Sequence, residues 1–156
     1  MTPSTQPNPS DQAWQIHPQL LADSVPIIHL PICAIRLLDD QRFPWVLLMP
    51  RQAGLTQWLD VPAAMQHQIL DEIQLVSTAM NTLFKPRKIN LATIGNQVDQ
   101  LHIHCVARHM HDAAWPNVVW GHGTRSPYPT LQRLALANAI AALLKTRSAP
   151  NSPAAR

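Results

Sequence analysis

The sequence predicts an α+β fold in which an antiparallel sheet packs against two main helices, and three observations support this prediction. Short apolar or alternating runs separated by turn residues predict strands, and their short connections favour antiparallel neighbours. Two longer segments repeat apolar residues every three or four positions, which is typical of amphipathic helices. The chain has 156 residues, 46% of them apolar and 13% charged, which is enough for one packed core.

The predicted elements lie in one domain between two polar tails. Residues 1–13 and 147–156 are rich in Pro, Ser and other small or polar residues, so we expect flexible tails around a single domain at 14–146. A short helical or irregular segment at 14–21 leads into this domain.

A β-hairpin is predicted in the first half of the domain. Residues 27–38 are strand-like except at Pro31, which cannot donate to a β-ladder, and residues 45–49 form an apolar run typical of a buried strand. The turn between them carries two carboxylates, Asp39 and Asp40. A solvated turn is the simplest interpretation of these two residues.

Two helices are predicted after the hairpin. The first has Asp60 as its N-cap, Pro62 in its first turn, and ends near Leu83. The second covers residues 131–145 and is rich in Ala and Leu. Each helix has an apolar face that is more plausibly core than a binding surface.

The strand predicted at residues 100–108 carries the residues of most chemical interest. Alternation places Gln100, His102 and His104 on one face and apolar side chains on the other. A strand at 88–94 precedes it after a short turn with one glycine, so the two are expected to pair as antiparallel neighbours. A solvated face would more usually carry Thr, Lys or Glu, so two imidazoles in a row indicate a site.

Three interpretations of this face remain open from the residues alone. Two histidines two positions apart can share a metal ion, completed by a ligand from the following loop: His109, His111, Asp112 or His122. Alternatively, one imidazole attacks phosphorus while its neighbours bind the phosphate oxygens. The third interpretation is a polar sheet face without a role.

Composition excludes several classes of partner. The net charge is +3 and the Lys and Arg residues are scattered, which argues against a nucleic-acid partner. No apolar run approaches the roughly 18 residues that a membrane span needs, and no signal peptide is recognisable, so we expect a cytoplasmic protein without a membrane partner. Cys33 and Cys105 lie in strand-like runs and are expected to be buried.

Residues 27–121 resemble the histidine triad (HIT) family, in particular its bacterial diadenosine-polyphosphate-hydrolase-like branch. The resemblance rests on Asn90, the Gly95-Asn96 turn, the strand Gln100-Leu101-His102-Ile103-His104-Cys105-Val106, and the later Trp115-Pro116 and Val119-Trp120-Gly121. His102 matches the family's nucleophilic middle histidine and His104 matches the third. Gln100 stands where the family has its first histidine, and glutamine cannot titrate.

The resemblance implies a HIT-like fold with an antiparallel sheet of about five strands, often paired into a homodimer. It implies hydrolysis or transfer at the α-phosphate of a nucleotide derivative, either a dinucleoside polyphosphate or a nucleoside phosphoramidate, through a nucleotidyl-histidine. The partner is then a small nucleotide. No cofactor and no metal site is required, and Mg²⁺ enters only with the substrate phosphates.

The same resemblance implies a role for each site residue. His102 attacks phosphorus, while His104 and Gln100 hold the non-bridging oxygens. It also implies that Asn90 and Gln97 contact the phosphate or the leaving group. Asp39 and Asp40 are implied to contact the ribose hydroxyls. Because Gln100 departs from the triad, two alternatives stay open: a nucleotide-binding protein with little turnover, and a His-rich metal-binding protein.

Overall fold

The computed structural model describes residues 13–148, and within them a five-stranded antiparallel sheet combines with three α-helices. The elements in chain order are α1 (Pro18–Asp23), β1 (Ser24–His29), β2 (Cys33–Leu38), β3 (Trp45–Pro50), α2 (Ala63–Phe84), β4 (Lys88–Ala92), β5 (Ile103–Arg108) and α3 (Thr130–Ser148). The predicted fold class is therefore confirmed. The predicted tails lie outside the described residues, except Ala13 and the last two residues of α3.

The histidine strand lies in the interior of the sheet. The strand order is β1-β2-β3-β5-β4, and every neighbouring pair is antiparallel. His104 on β5 faces Leu47 on β3 and Ala92 on β4, so backbone pairing holds it from both sides. The predicted hairpin is β2 and β3, and the predicted pairing of 88–94 with the histidine strand is confirmed as β4 with β5.

Both faces of the sheet are covered. On one face, α2 packs against β5, and α3 packs against β1 and α2, over a core that includes Ile103 and Cys105. On the other face, the 14–20 segment and the 114–120 loop pack over Trp45 and Val106. This coverage explains why β2, β3 and β5 are buried along their whole length. Among residues 13–148, no helix is long and apolar enough to cross a membrane.

Several predicted boundaries differ from the structure by a few residues, and two of these differences have a clear physical cause. Asp60 does not cap α2, which begins after Pro62. Its carboxylate instead accepts hydrogen bonds from the backbone N–H groups of Thr56 and Gln57, at 2.9 and 3.0 Å, and closes a short 3-10 turn. β5 begins at Ile103, so the three residues before it are not paired as strand. The alternation that predicted a longer strand extends into a segment whose side chains hydrogen-bond outside the sheet ladder: Gln100 bonds to residues 15 and 17, and His102 bonds to the carbonyl of Gln100.

Candidate active site

A cavity of about 650 Å³ opens beside His102 and His104, on the sheet face opposite α2 and α3. Its walls come from β5, the 94–98 turn, the start of α1 and the 119–123 loop. Both imidazoles are largely buried, with 7% of His102 and 8% of His104 exposed. The two histidines predicted to share a face therefore lie side by side at the wall of one cavity.

The main chain fixes the protonation of His102. Its Nδ1 lies 2.6 Å from the backbone carbonyl oxygen of Gln100. A carbonyl only accepts hydrogen bonds, so this contact requires the proton on Nδ1. In the neutral ring, Nε2 then carries a free lone pair, which is the form that a nucleophilic histidine needs.

A tryptophan fixes His104 in the tautomer opposite to that of His102. The indole Nε1–H of Trp45 donates to Nδ1 of His104 at 3.0 Å, so in the neutral ring the proton lies on Nε2. Burial and the neighbouring His102 lower the pKa of His104 from 6.5 to about 3, which keeps the ring neutral near pH 7. His104 is therefore a fixed neutral N–H donor.

The two imidazoles have complementary functions because their tautomers are opposite. Their ring centroids are 4.8 Å apart. His102 carries a lone pair on Nε2, and His104 carries a hydrogen-bond donor on Nε2, one strand repeat away. A phosphorus atom attacked by the first ring can therefore have a non-bridging oxygen bound by the second.

The 94–98 turn supplies further polar groups to the cavity wall. Gly95 has φ of +67°, a left-handed conformation that glycine adopts without strain, as its place in the predicted turn suggested. The backbone N–H groups of Asn96 and Gln97 have no hydrogen-bond acceptor within residues 13–148. Gln97 lies at the cavity, as a substrate-contacting residue must.

Gln100 does not share the cavity-facing surface of the two histidines, which corrects the face predicted from alternation. Its side-chain oxygen accepts from the backbone N–H of His17, and its side-chain nitrogen donates to the carbonyl of Gln15, both at 2.8 Å. The amide is thus used to fasten the N-terminal segment. Gln100 lies outside β5, and its two hydrogen bonds to the N-terminal segment hold its side chain away from the cavity.

Asn90 lies on the predicted face but is committed to a structural network. Its side-chain oxygen accepts from Arg108 at 2.8 Å, and Arg108 forms a buried ion pair with Asp112 at 2.8 Å. Only 2% of Arg108 is exposed, so this network requires all of its partners. It fixes the loop that follows β5, with Trp115 stacked near the guanidinium of Arg108.

Both carboxylates of the hairpin turn form ion pairs with arginine. Asp39 pairs with Arg133 of α3. Asp40 lines the cavity, but it is fully buried and receives two side-chain hydrogen bonds from Arg42, at 2.9 and 2.6 Å. Burial opposes its ionisation, but the hydrogen bonds from Arg42 and Ser126 outweigh burial and lower the pKa of Asp40. Arg42 also donates to the carbonyl of His122, so this pair supports the 119–123 loop.

Several residues that line the cavity were not among the predicted site residues, and His17 is one of them. His17 caps α1, and it also lines the cavity with His122 and Trp120. The local sequence contains no signal for this, because His17 reaches the site through a contact with Gln100, 83 positions away. His109 and His111 stack on each other, and within residues 13–148 no three His, Cys, Asp or Glu side chains are grouped to hold a metal ion.

Comparison with known proteins identifies the class to which this fold and site belong. A HIT domain model matches residues 20–111, and the chain therefore belongs to the HIT family. HIT proteins are commonly nucleotide-binding proteins, hydrolases or transferases.

Three solved structures are similar over most of their length. A histidine triad protein of Bradyrhizobium japonicum is 34% identical, with a TM-score of 0.83, over 85% of this chain and 99% of its own. One of Marinobacter aquaeolei is 34% identical, with a TM-score of 0.83, over 86% and 98%. One of Sinorhizobium meliloti is 33% identical, with a TM-score of 0.80, over 81% and 94%. Among curated proteins, no match to this chain was found.

Proposed function

We propose that this protein is a cytoplasmic nucleotide hydrolase or transferase that acts at the α-phosphate of a nucleotide derivative through a nucleotidyl-His102 intermediate. The observation that carries the proposal is the pair of opposite tautomers. Gln100 holds the proton of His102 on Nδ1, and Trp45 holds the proton of His104 on Nε2. A nucleophile and a neutral donor are therefore prepared before any substrate binds.

The reaction proceeds in two displacements. In the first, the Nε2 lone pair of His102 forms a bond to the α-phosphorus, and the bond to the leaving group breaks with its electron pair on the leaving group. In the second, a water oxygen attacks phosphorus, the P–N bond breaks with its electron pair returning to Nε2 of His102, and the attacking water loses a proton to solvent. The Nε2–H of His104 and the free N–H groups of the 94–98 turn bind the non-bridging oxygens in both steps.

The geometry supports new roles for several residues first considered as substrate contacts. Gln97 remains a substrate contact at the cavity. Asn90, Asp39 and Asp40 are assigned to support, because their side-chain oxygens already bind Arg108, Arg133 and Arg42. The proposed chemistry needs no cofactor, and Mg²⁺ enters only as a counterion of the substrate phosphates.

A homodimer is part of the proposal, and the sheet edge supports it. β4 lies at the end of the strand order, so one side of its backbone has no strand neighbour within the described residues. Leu91 and Ile94 beside this edge are 48% and 43% exposed. A second copy would cover apolar surface and pair the free backbone groups.

Turnover by variants tests the proposed nucleophile. Wild type is assayed with the p-nitrophenyl ester of AMP and with a dinucleoside polyphosphate. His102→Ala is expected to lose at least about 10³-fold in kcat, since no other step can replace the covalent one. The matched control is His29→Ala, an exposed histidine on β1 outside the cavity, which should retain full activity. Full activity in His102→Ala would refute the mechanism, and tight nucleotide binding without turnover in wild type would favour a binding protein instead.

A further inference from the structure

His17 adds a further histidine to the cavity of His102 and His104, which His122 also lines. Its Nδ1 accepts the backbone N–H of Gln19 at 3.1 Å, which caps α1. An accepting Nδ1 places the proton of the neutral ring on Nε2, so His17 presents an N–H donor, as His104 does. His17 is exposed, so a ligand in the cavity can reach this ring.

Gln100 connects His17 to the nucleophile. Its backbone carbonyl holds Nδ1 of His102, while its side-chain amide makes two 2.8 Å hydrogen bonds to the backbone of residues 15 and 17. The two bonds use the oxygen and the nitrogen of one amide, which fixes the segment in both distance and orientation. One residue thus sets the positions of two imidazoles that the sequence separates by 85 positions.

A second donor borders the cavity next to α1. Arg125 forms an ion pair with Asp23, the last residue of α1, at 2.9 Å, through one of its terminal nitrogens. Its side chain remains 44% exposed and lines the cavity, so its other N–H groups face solvent or a ligand. The α1 side of the cavity therefore presents an imidazole N–H and a guanidinium, both of which suit phosphate oxygens.

We propose that His17, with Arg125, binds the phosphate of the departing group, and that Gln100 acts as a positioning residue through His17. This inference rests on the proposed function and narrows its substrate class to nucleotide derivatives whose leaving group is a phosphate or polyphosphate. Such a group leaves as an oxyanion with the electron pair of the P–O bond. Hydrogen bonds from His17 and Arg125 stabilise that charge, and no proton is transferred.

The test compares two leaving groups in matched variants. His17→Asn removes the imidazole but retains a side-chain oxygen that can cap α1. We expect kcat/KM for diadenosine tetraphosphate to fall about tenfold, as for one lost hydrogen bond to a charged group, and kcat/KM for the p-nitrophenyl ester of AMP to change less than about threefold. His29→Asn, an exposed histidine outside the cavity, should change neither value.

Gln100 is tested in the same assay by a double-mutant cycle. Gln100→Ala keeps the carbonyl that holds His102 but releases His17, so it should show the same selective loss on diadenosine tetraphosphate. The double variant His17→Asn/Gln100→Ala should lose no more than either single variant. A purely structural role for Gln100 predicts additive losses instead.

Each outcome separates this inference from the proposed function. Equal losses on both substrates, additive losses in the double variant, or no loss in His17→Asn would overturn the role of His17 and Gln100 alone. Wild-type turnover of the aryl ester without turnover of diadenosine tetraphosphate would also overturn it while leaving the His102 nucleophile intact. Failure of wild type on both substrates would refute the proposed function and this inference together.

Discussion

Removal of the hydrogen bond from Trp45 to His104 tests whether the fixed tautomer of His104 contributes to catalysis. Trp45→Phe deletes the indole N–H that fixes Nδ1 of His104 as an acceptor. Trp45 is 6% exposed and His104 is 8% exposed, so water does not readily replace the lost donor. A buried acceptor left without its donor costs about 1–3 kcal/mol of folding free energy.

The catalytic consequence follows from the tautomer. Without Trp45, the proton of His104 is free to occupy Nδ1, and Nε2 then no longer donates to a substrate oxygen. Complete loss of one preorganised donor of this kind typically raises the activation free energy by about 2.7–4 kcal/mol, which lowers kcat by about 10²–10³-fold. Because the ring still samples the correct tautomer, we expect a fall of about 10–100-fold in kcat for Trp45→Phe.

A second tryptophan provides the matched control. Trp120 also packs against His104, with ring centroids 5.4 Å apart, but its Nε1 has no hydrogen-bond partner within residues 13–148. Trp120→Phe therefore makes the same change of ring without removing a hydrogen bond. Kinetics on the p-nitrophenyl ester of AMP and urea unfolding should show a clearly larger loss for Trp45→Phe. Equal losses in the two variants would refute the reasoning about the tautomer.

Three further predictions concern pH, the buried ion pair and the turn. The pKa of His104 is about 3 in the folded protein and 6.5 ordinarily, so between these pH values the unfolded chain binds a proton that the folded chain does not. The free energy of unfolding should therefore fall by about 1.4 kcal/mol for each pH unit below pH 6.5. Urea unfolding from pH 7.5 to 5 measures this fall, and the contribution of His104 should be absent in His104→Leu. Asp112→Asn leaves Arg108 buried without its counter-charge and should lower the unfolding free energy by about 3–5 kcal/mol; a loss below about 1 kcal/mol in denaturant titration would contradict this. Gly95→Ala forces a positive φ on a residue with a Cβ and should lower the unfolding free energy by about 1–2 kcal/mol. Thermal unfolding measures this loss, with Ala92→Gly as a comparison outside the turn. An unchanged Tm in Gly95→Ala would show that the turn adapts.

Local patterns were sufficient to predict most of the fold. The apolar run at 45–49 and the alternation through 100–108 predicted strands, which the structure places at Trp45–Pro50 and Ile103–Arg108. The same alternation correctly brought His102 and His104 to one cavity wall. The predicted start of α2 was wrong, because Asp60 accepts hydrogen bonds from Thr56 and Gln57 in a 3-10 turn instead of capping the helix. The sequence around Asp60 does not distinguish these two uses of its carboxylate.

The rest of the site depends on contacts between residues that are distant in sequence. The tautomer of His104 is set by Trp45, 59 positions away, and the position of His17 is set by Gln100, 83 positions away. Asp39 looked like a free turn carboxylate because its partner, Arg133, lies 94 positions away on α3. Sequence pattern indicates which residues share an element, whereas hydrogen-bond partners across elements follow from tertiary packing.

The most direct test of the central claim is to trap the intermediate. Protein is mixed with excess p-nitrophenyl ester of AMP, quenched within the first turnover, digested at alkaline pH to preserve the P–N bond, and examined by peptide mass spectrometry. We predict one adenylyl group on the peptide that contains His102, absent in His102→Ala and present in His29→Ala. Rapid turnover in wild type with no adenylyl group on this peptide at any quench time would contradict covalent catalysis by His102.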